Sequence, residues 1–326
     1  MAPEGARLGA TAWSTRAAAG LAGGTVLCCA PAGCAGAPRR RLRPWQWTLI
    51  GALALPLWAL WPSLALRTAA VPPLETLALA FLCGSLSFRL LHAAAGEAGA
   101  VRAAALRAWI PALVYAAALA GGDVCFLLAL RRIPAAQANL LAYLWPVMIA
   151  LLAGALGIYR LRAAQLAGLA LGFSGAVILV WDGRLELAGA GIALALASGA
   201  LWAGYCVFRL LWRAPTGNLL GRGCALAALV CALLHFALEP TVVPDAGALA
   251  CTAVAGFIAL GVGNFVWDQG FRRGDGQLLA VLAYATPLLS ALLLAALGHA
   301  RLSAHLVSGA LVIVAAGLLA RTAAPP

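Results

Sequence analysis

The sequence has 326 residues, of which 64% are hydrophobic and only 10% are charged. A soluble domain of ordinary composition is about 45–50% apolar and about 25% charged, so the composition excludes a water-soluble globular protein. The formal net charge is +12, and all 22 basic residues are arginines, most of them in short tracts between apolar segments. This placement is typical of membrane topology and not of nucleic-acid binding.

The first 44 residues are rich in alanine and glycine and end in an arginine cluster formed by Arg39, Arg40, Arg41 and Arg43. A signal peptide carries its charges before its apolar stretch, whereas this cluster follows a weakly apolar one. We therefore predict that residues 1–44 form a flexible cytoplasmic tail. An additional span, a signal sequence and a start further along the chain are the alternatives.

Apolar stretches of about 18–20 residues, the length that crosses a hydrocarbon core, then follow one another almost to the end of the chain. They predict an all-α integral membrane protein with ten transmembrane helices, at residues 46–66, 72–92, 108–130, 134–156, 163–181, 188–208, 219–238, 246–270, 277–297 and 303–320. With a cytoplasmic N-terminus, most arginines of the connections fall on the inner side. The positive-inside rule therefore predicts that both termini are cytoplasmic.

An internal repeat divides the spans into two sets of five. With a constant offset of 141 residues (263 − 122), eleven residues of the first half match identical residues of the second: Gly122, Arg131, Arg132, Leu141, Ala142, Tyr143, Pro146, Gly157, Arg160, Leu161 and Gly168 match Gly263, Arg272, Arg273, Leu282, Ala283, Tyr284, Pro287, Gly298, Arg301, Leu302 and Gly309. Near the front of each half, Trp58 and Trp202 match with an offset of 144 (202 − 58). An odd number of spans per half makes the repeat inverted, so we predict two inverted five-helix repeats at residues 45–182 and 183–326. This architecture is typical of secondary transporters, whose substrate site lies where the halves meet.

Two prolines lie at matching places near the middle of the fourth and ninth spans. Pro146 and Pro287 lack an N–H, so the carbonyls of Ala142 and Ala283 lose their usual helical partners. Within a membrane such carbonyls need another partner. Pro146 and Pro287 thus predict helix breaks. Either the breaks are packing kinks, and neighbouring helices satisfy the freed carbonyls, or the carbonyls bind a substrate amine.

Aromatic residues near the span centres are the candidates for a binding pocket, because tryptophan and tyrosine combine apolar area with a hydrogen-bonding tip. Aromatic residues at span ends usually form interfacial belts instead, and that is the alternative for each of them. The candidates are Trp58, Trp61, Tyr143, Trp145, Trp202, Tyr205, Trp267 and Tyr284.

Asp123 lies well inside the third span, and Asn264 is its repeat counterpart. A carboxylate at such depth is costly and suggests a functional or paired site. We predict that Asp123 and Asn264 bind substrate; a proton site, a structural partner to another helix and an error in the span edge are the alternatives for Asp123. Asp268 precedes Arg272 by four residues, so an intrahelical ion pair accounts for it.

Three segments resemble a known family: Tyr143-Leu144-Trp145-Pro146, Leu201-Trp202-Ala203-Gly204-Tyr205-Cys206 and Tyr284-Ala285-Thr286-Pro287-Leu288-Leu289-Ser290. Together with the five-plus-five design, they resemble the EamA family of the drug/metabolite transporter superfamily over about residues 45–322, and within it the bacterial exporters of aromatic amino acids. The resemblance implies an inner-membrane exporter of aromatic and other neutral amino acids that works by alternating access. Export of other small metabolites or of drugs is the alternative.

Other classes fit the residues less well. A small multidrug exporter depends on a glutamate in its first helix, and residues 46–66 contain no acidic residue. A phosphorylated substrate needs cations in the cavity, but the chain has no lysine and its arginines cluster at span ends. A membrane enzyme, a receptor and a scaffold remain rivals, although the histidines show no metal-ligand spacing: His92, His235, His299 and His305. We predict no enzyme activity, cofactor or metal, and as partners a small-molecule substrate and the lipid bilayer, without nucleic acid.

Overall fold

The computed structural model describes residues 42–94, 109–158, 160–180, 187–212, 219–298 and 304–322. Every regular element in these ranges is a helix, which confirms the all-α prediction. The predicted tail lies outside the described residues except for its last three positions, 42–44.

The helices of the first half are α1 Pro44–Ala52, α2 Ala54–Ala59, α3 Trp61–Ala65, α4 Pro73–Ala94, α5 Trp109–Ala116, α6 Gly122–Leu130, α7 Ala135–Ala142, α8 Trp145–Ala155 and α9 Ala163–Val180. Those of the second half are α10 Gly189–Leu211, α11 Leu219–Leu238, α12 Ala246–Val254, α13 Asn264–Arg273, α14 Gly276–Leu282, α15 Ala285–Ala296 and α16 Ala304–Thr322. A 3₁₀ turn at Leu66–Thr68 follows α3.

In the described part of the chain, eight segments are long and apolar enough to cross a membrane, as judged by length and composition: Pro44–Ala65, Pro73–Leu91, Trp109–Leu130, Gln137–Ala155, Gly189–Leu211, Leu219–Leu238, Ala246–Arg273 and Gly276–Ala296. Two shorter apolar helices, Ala163–Ile178 and Val307–Leu319, fall at the fifth and tenth predicted spans. The protein is therefore a multi-pass membrane protein.

The two proline helices are interrupted at matching places. Pro146 is the second residue of α8, and Pro287 is the third residue of α15. Proline is tolerated in the first helical turn because the N–H it lacks would have no helical acceptor there. Each proline therefore stands at the beginning of a new helix and not inside a continuous one.

A π-helical segment lies in the middle of the third and the eighth span, at Ala117–Gly121 and at Ala255–Gly263. Shifted by the repeat offset of 141 residues, the first lies inside the second. Such segments are rare and often accompany functional sites. The first ends at Gly121, two residues before Asp123, and the second ends at Gly263, directly before Asn264, so both halves share a backbone irregularity next to the two polar positions.

Two matching glycines terminate helices in a left-handed conformation. Gly157 follows α8 with φ +68° and Gly298 follows α15 with φ +78°. At the first of these ends, the Ile158 N–H donates to the Ala153 carbonyl at 2.9 Å, the pattern of a Schellman cap. This conformation favours glycine, which explains why both halves carry one at this place.

The first and eighth spans approach each other through glycine. A Cβ added to Gly270 would lie 2.3 Å from the Gly51 Cα, so this close approach requires glycine at position 270. The repeat counterparts of this contact are Ala195 and Ala129, which are both fully buried in one small apolar cluster. The first span therefore packs on the eighth in the way that the sixth packs on the third.

Gly270→Ala should destabilise the protein, because the added methyl group meets the Gly51 backbone and not a movable side chain. Overpacking of this kind costs about 1–3 kcal/mol. Thermal unfolding of the purified protein in detergent should show a lower midpoint. Gly204→Ala is the matched control, since a Cβ there has no atom within 4 Å. Equal midpoints for the two variants would contradict the close packing.

The remaining spans form repeat-related pairs, in which α4 packs on α11 and α9 packs on α16. The buried side chain of His235 stabilises the pair of α4 and α11 at one end. Its Nδ1 lies 3.1 Å from Glu239 and its Nε2 lies 3.1 Å from Thr241 and 3.6 Å from Glu75. Through these contacts His235 links the beginning of α4 to the end of α11.

Candidate functional site

Five aromatic residues from the first, fourth, sixth and eighth spans form a connected group, which we call the aromatic cluster: Trp58, Trp145, Trp202, Tyr205 and Trp267. Trp267 is fully buried, and its ring centroid lies 5.1 Å from that of Trp58 and 5.5 Å from that of Trp145. Trp58 contacts Trp202 at 6.1 Å, and Trp202 contacts Tyr205 at 5.4 Å. The spacing and tilts are those of favourable aromatic pairs. Both halves contribute to the cluster, as the prediction from the repeat requires.

Asn264 fixes one side of this cluster. The Trp58 Nε1–H donates to Asn264 Oδ1 at 3.0 Å, and Asn264 Nδ2 donates to the Tyr115 hydroxyl at 2.8 Å. The Tyr115 ring in turn contacts Tyr205 at 4.7 Å. Asn264 and Tyr115 are buried, so these bonds join the first, third and eighth spans in a region where an unpaired polar group would be costly. Tyr115 was not among the sequence candidates, because it lies in an otherwise apolar stretch.

Asp123 differs from its counterpart Asn264. Among the described residues its carboxylate has no hydrogen-bond or ion-pair partner, and its side chain is half-buried. The equivalent tryptophan also differs: the Trp58 ring lies against Gly263, whereas no atom of Trp202 lies within 4 Å of a Cβ built on Gly122. In the described part of the chain, Asp123 in the first half therefore lacks the hydrogen-bonded partners that Asn264 has in the second half.

Three further candidates lie away from the cluster or at its edge. Tyr143 and Tyr284 belong to a second apolar group, in which Tyr284 packs on Phe173 with ring centroids 6.3 Å apart. Trp61 packs against the main core and lines a small separate cavity together with Thr68 and other residues. The repeat thus places both tyrosines equivalently, but next to the fifth and tenth spans and not among the tryptophans.

The two carbonyls released by the prolines have different surroundings. The Ala142 carbonyl oxygen lies against Gly199, where an added Cβ would be only 2.5 Å away. The Ala283 carbonyl accepts from the Thr286 N–H at 3.0 Å. Both carbonyls are therefore packed in this conformation, and their use by a substrate amine stays a prediction.

A buried ion pair lies directly beside the aromatic cluster. Arg209 Nε lies 2.7 Å from Asp268 Oδ1 and Arg209 Nη2 lies 3.0 Å from Oδ2, while the Tyr205 hydroxyl donates to Oδ1 at 3.2 Å. Both charged side chains are only 3% exposed. The intrahelical contact expected from sequence is present, with Arg272 Nη1 3.7 Å from Asp268, but Arg209 is the closer partner. Sequence reasoning missed Arg209 because it assigned that residue to the positively charged inner side.

A bundle of apolar helices with repeat-matched breaks and a central aromatic cluster defines a membrane transporter. The model of the EamA-like transporter family matches residues 45–181 and again residues 189–322. The chain belongs to this family. It is 36% identical over 283 residues to the aromatic amino acid exporter YddG of Ancylobacter novellus. The match covers 84% of this chain and 96% of the relative. A solved crystal structure that is 33% identical superposes with a TM-score of 0.80, over 86% of this chain and 99% of that chain.

Proposed function

We propose that this protein exports aromatic and other neutral amino acids across a bacterial inner membrane as a secondary transporter that works by alternating access. The observation that carries the proposal is the aromatic cluster, which both halves build between the helices where inverted-repeat transporters hold their substrates. The name of the relative from Ancylobacter novellus supports the same substrate class.

Each proposed substrate-binding residue has a role that its chemistry supports. The cluster and its neighbours stack on an aromatic side chain of the substrate. Asp123 binds the ammonium group, and Asn264 orients the helices. The proposed set comprises Trp58, Trp61, Asp123, Tyr143, Trp145, Trp202, Tyr205, Asn264, Trp267 and Tyr284, with Pro146 and Pro287 at the helix breaks. Tyr143 and Tyr284 would reach substrate only in another transport state, because they pack in the second apolar group here.

Binding can be tested without transport. A ligand that binds only the folded protein raises its thermal midpoint by mass action. Phenylalanine and tryptophan should raise the midpoint of the purified protein in a concentration-dependent way, whereas a neutral sugar should not. Export of organic cations is the second candidate, because the unpaired Asp123 carboxylate would suit them. A shift with an organic cation alone would favour that candidate.

The proposed topology has ten spans in two inverted halves, residues 45–182 and 183–326, with both termini in the cytoplasm. The two shorter helices α9 and α16 complete the count, and the arginine asymmetry supports the orientation. Cysteines introduced at Arg184 and Arg213, in a protein otherwise free of cysteine, should react with an impermeant thiol reagent from opposite sides of the membrane. Labelling of both from one side would contradict the span count or the orientation.

A further inference from the structure

The Arg209–Asp268 pair has no counterpart in the first half. By the repeat offsets, Arg209 corresponds to Ala65 (209 − 144) and Asp268 to Leu127 (268 − 141), both of which are apolar. The shared architecture therefore does not require a charge pair at this place. Burying two charges is costly, and such a pair gives little stability over apolar residues of similar size. Because the pair occurs in only one of the two halves, we infer that it has a functional role.

The pair continues the aromatic cluster towards the proposed cytoplasmic side. Asp268 directly follows Trp267 in α13, and the Tyr205 hydroxyl bridges the cluster to the carboxylate. Arg209 lies two residues before the end of α10, so the pair occupies the ends of the sixth and eighth spans. An amino acid that arrives from the cytoplasm would meet these charges before the tryptophans.

A zwitterionic amino acid carries the two charges that could replace the pair. Its carboxylate can take the place of Asp268 on Arg209, in the two-bonded geometry that guanidinium groups favour. Its ammonium group can at the same time take the place of Arg209 on Asp268. Arg209 and Asp268 then each keep a close charged partner, whereas a ligand with only one of the two charges would leave one of them without it. Asp268 would keep only the longer contact with Arg272, at 3.7 Å.

We propose that Arg209 and Asp268 form a cytoplasm-facing subsite that binds the α-carboxylate and α-ammonium groups of the substrate by exchange of ion-pair partners. The aromatic side chain of the substrate then lies on Trp267 and Tyr205. The inference rests on the proposed amino acid export and adds the group that recognises the carboxylate. It gives the ammonium group to Asp268 at this cytoplasm-facing subsite, before the substrate reaches Asp123. It also explains selection for amino acids, because only a zwitterion gives both Arg209 and Asp268 a new close partner when the pair opens.

The test compares phenylalanine with its two single-charge analogues, phenethylamine and phenylpropionate, by direct binding to the purified full-length protein. Wild type should bind phenylalanine at least tenfold more tightly than either analogue. Asp268→Asn should lose this preference and bind phenylpropionate at least tenfold more tightly than wild type does, because Arg209 is then free for a carboxylate. Arg209→Gln should bind phenethylamine at least tenfold more tightly than wild type does, because Asp268 has then lost its closest partner.

Asp275→Asn is the matched control, since it removes an acidic residue that caps α14 and lies outside the aromatic cluster. It should keep the wild-type order of ligands. Should a single variant fail to insert, the doubly neutral R209Q/D268N removes both charges together and should lose the preference for the zwitterion. Variants that lose phenylalanine without gaining an analogue, or that keep the wild-type order, overturn the subsite and leave a structural ion pair. A wild type that binds no amino acid overturns the proposed function as well.

Discussion

Trp267→Ala should cause the largest loss of both stability and transport. Trp267 is 1% exposed and contacts Trp58, Trp145 and Phe271, with ring centroids between 5.1 and 5.5 Å apart. Removing a buried aromatic side chain costs about 3–5 kcal/mol, because a cavity replaces its packing. We expect a clearly lower thermal midpoint and loss of aromatic amino acid exchange, measured by unfolding in detergent and by uptake into proteoliposomes.

Trp45→Ala is the control for this variant, because Trp45 is 57% exposed at the beginning of α1. It should leave both quantities close to wild type. Trp267→Phe keeps an aromatic ring and should fall between the two. A Trp267→Ala protein that matches Trp45→Ala in stability and exchange would show that the cluster does not hold the helices together.

Asp123→Asn should weaken substrate binding about tenfold or more at every pH. Asn keeps the shape of Asp and removes its charge, and a hydrogen bond to a charged group is worth about 1.5–3 kcal/mol. The carboxylate has no partner among the described residues, so it is available to a substrate ammonium group. Binding of phenylalanine across a range of pH, at equal protein insertion, measures the effect.

A different result would assign Asp123 another role. Loss of pH dependence with substrate exchange retained would make the residue a proton carrier. Wild-type behaviour in binding and in pH-driven uptake would make it structural and remove it from the site. Asn264→Asp is the reciprocal variant: it places a charge next to Trp58 and Tyr115, where the two bonds of the amide would have to rearrange.

Sequence periodicity and the repeat predicted the parts of the fold that depend on local chemistry. Pro146 and Pro287 cannot continue a helix, and Gly157 and Gly298 accept a left-handed conformation, so these interruptions follow from single residues. Trp58 and Trp202 were proposed from their matched places on repeat-related helices, and Trp145 and Trp267 from their places near span centres.

The contacts that sequence reasoning missed are distant in sequence. Arg209 and Asp268 are 59 residues apart, and each had a sufficient local explanation, in topology for the arginine and in a nearby arginine for the aspartate. Tyr143 and Tyr284 were grouped with the tryptophans, but they stand at the turns between two helices. The turn geometry there, and not helical periodicity, directs Tyr284 towards α9.

Counterflow in proteoliposomes tests whether the protein exchanges amino acids across a membrane. Vesicles that contain the purified protein are loaded with unlabelled phenylalanine and diluted into labelled phenylalanine, tryptophan, threonine or an organic cation. We expect transient accumulation of the labelled amino acids, strongest for the aromatic ones. The cation should not accumulate, and protein-free vesicles should accumulate nothing. Accumulation of the cation without accumulation of any amino acid would contradict the proposed function.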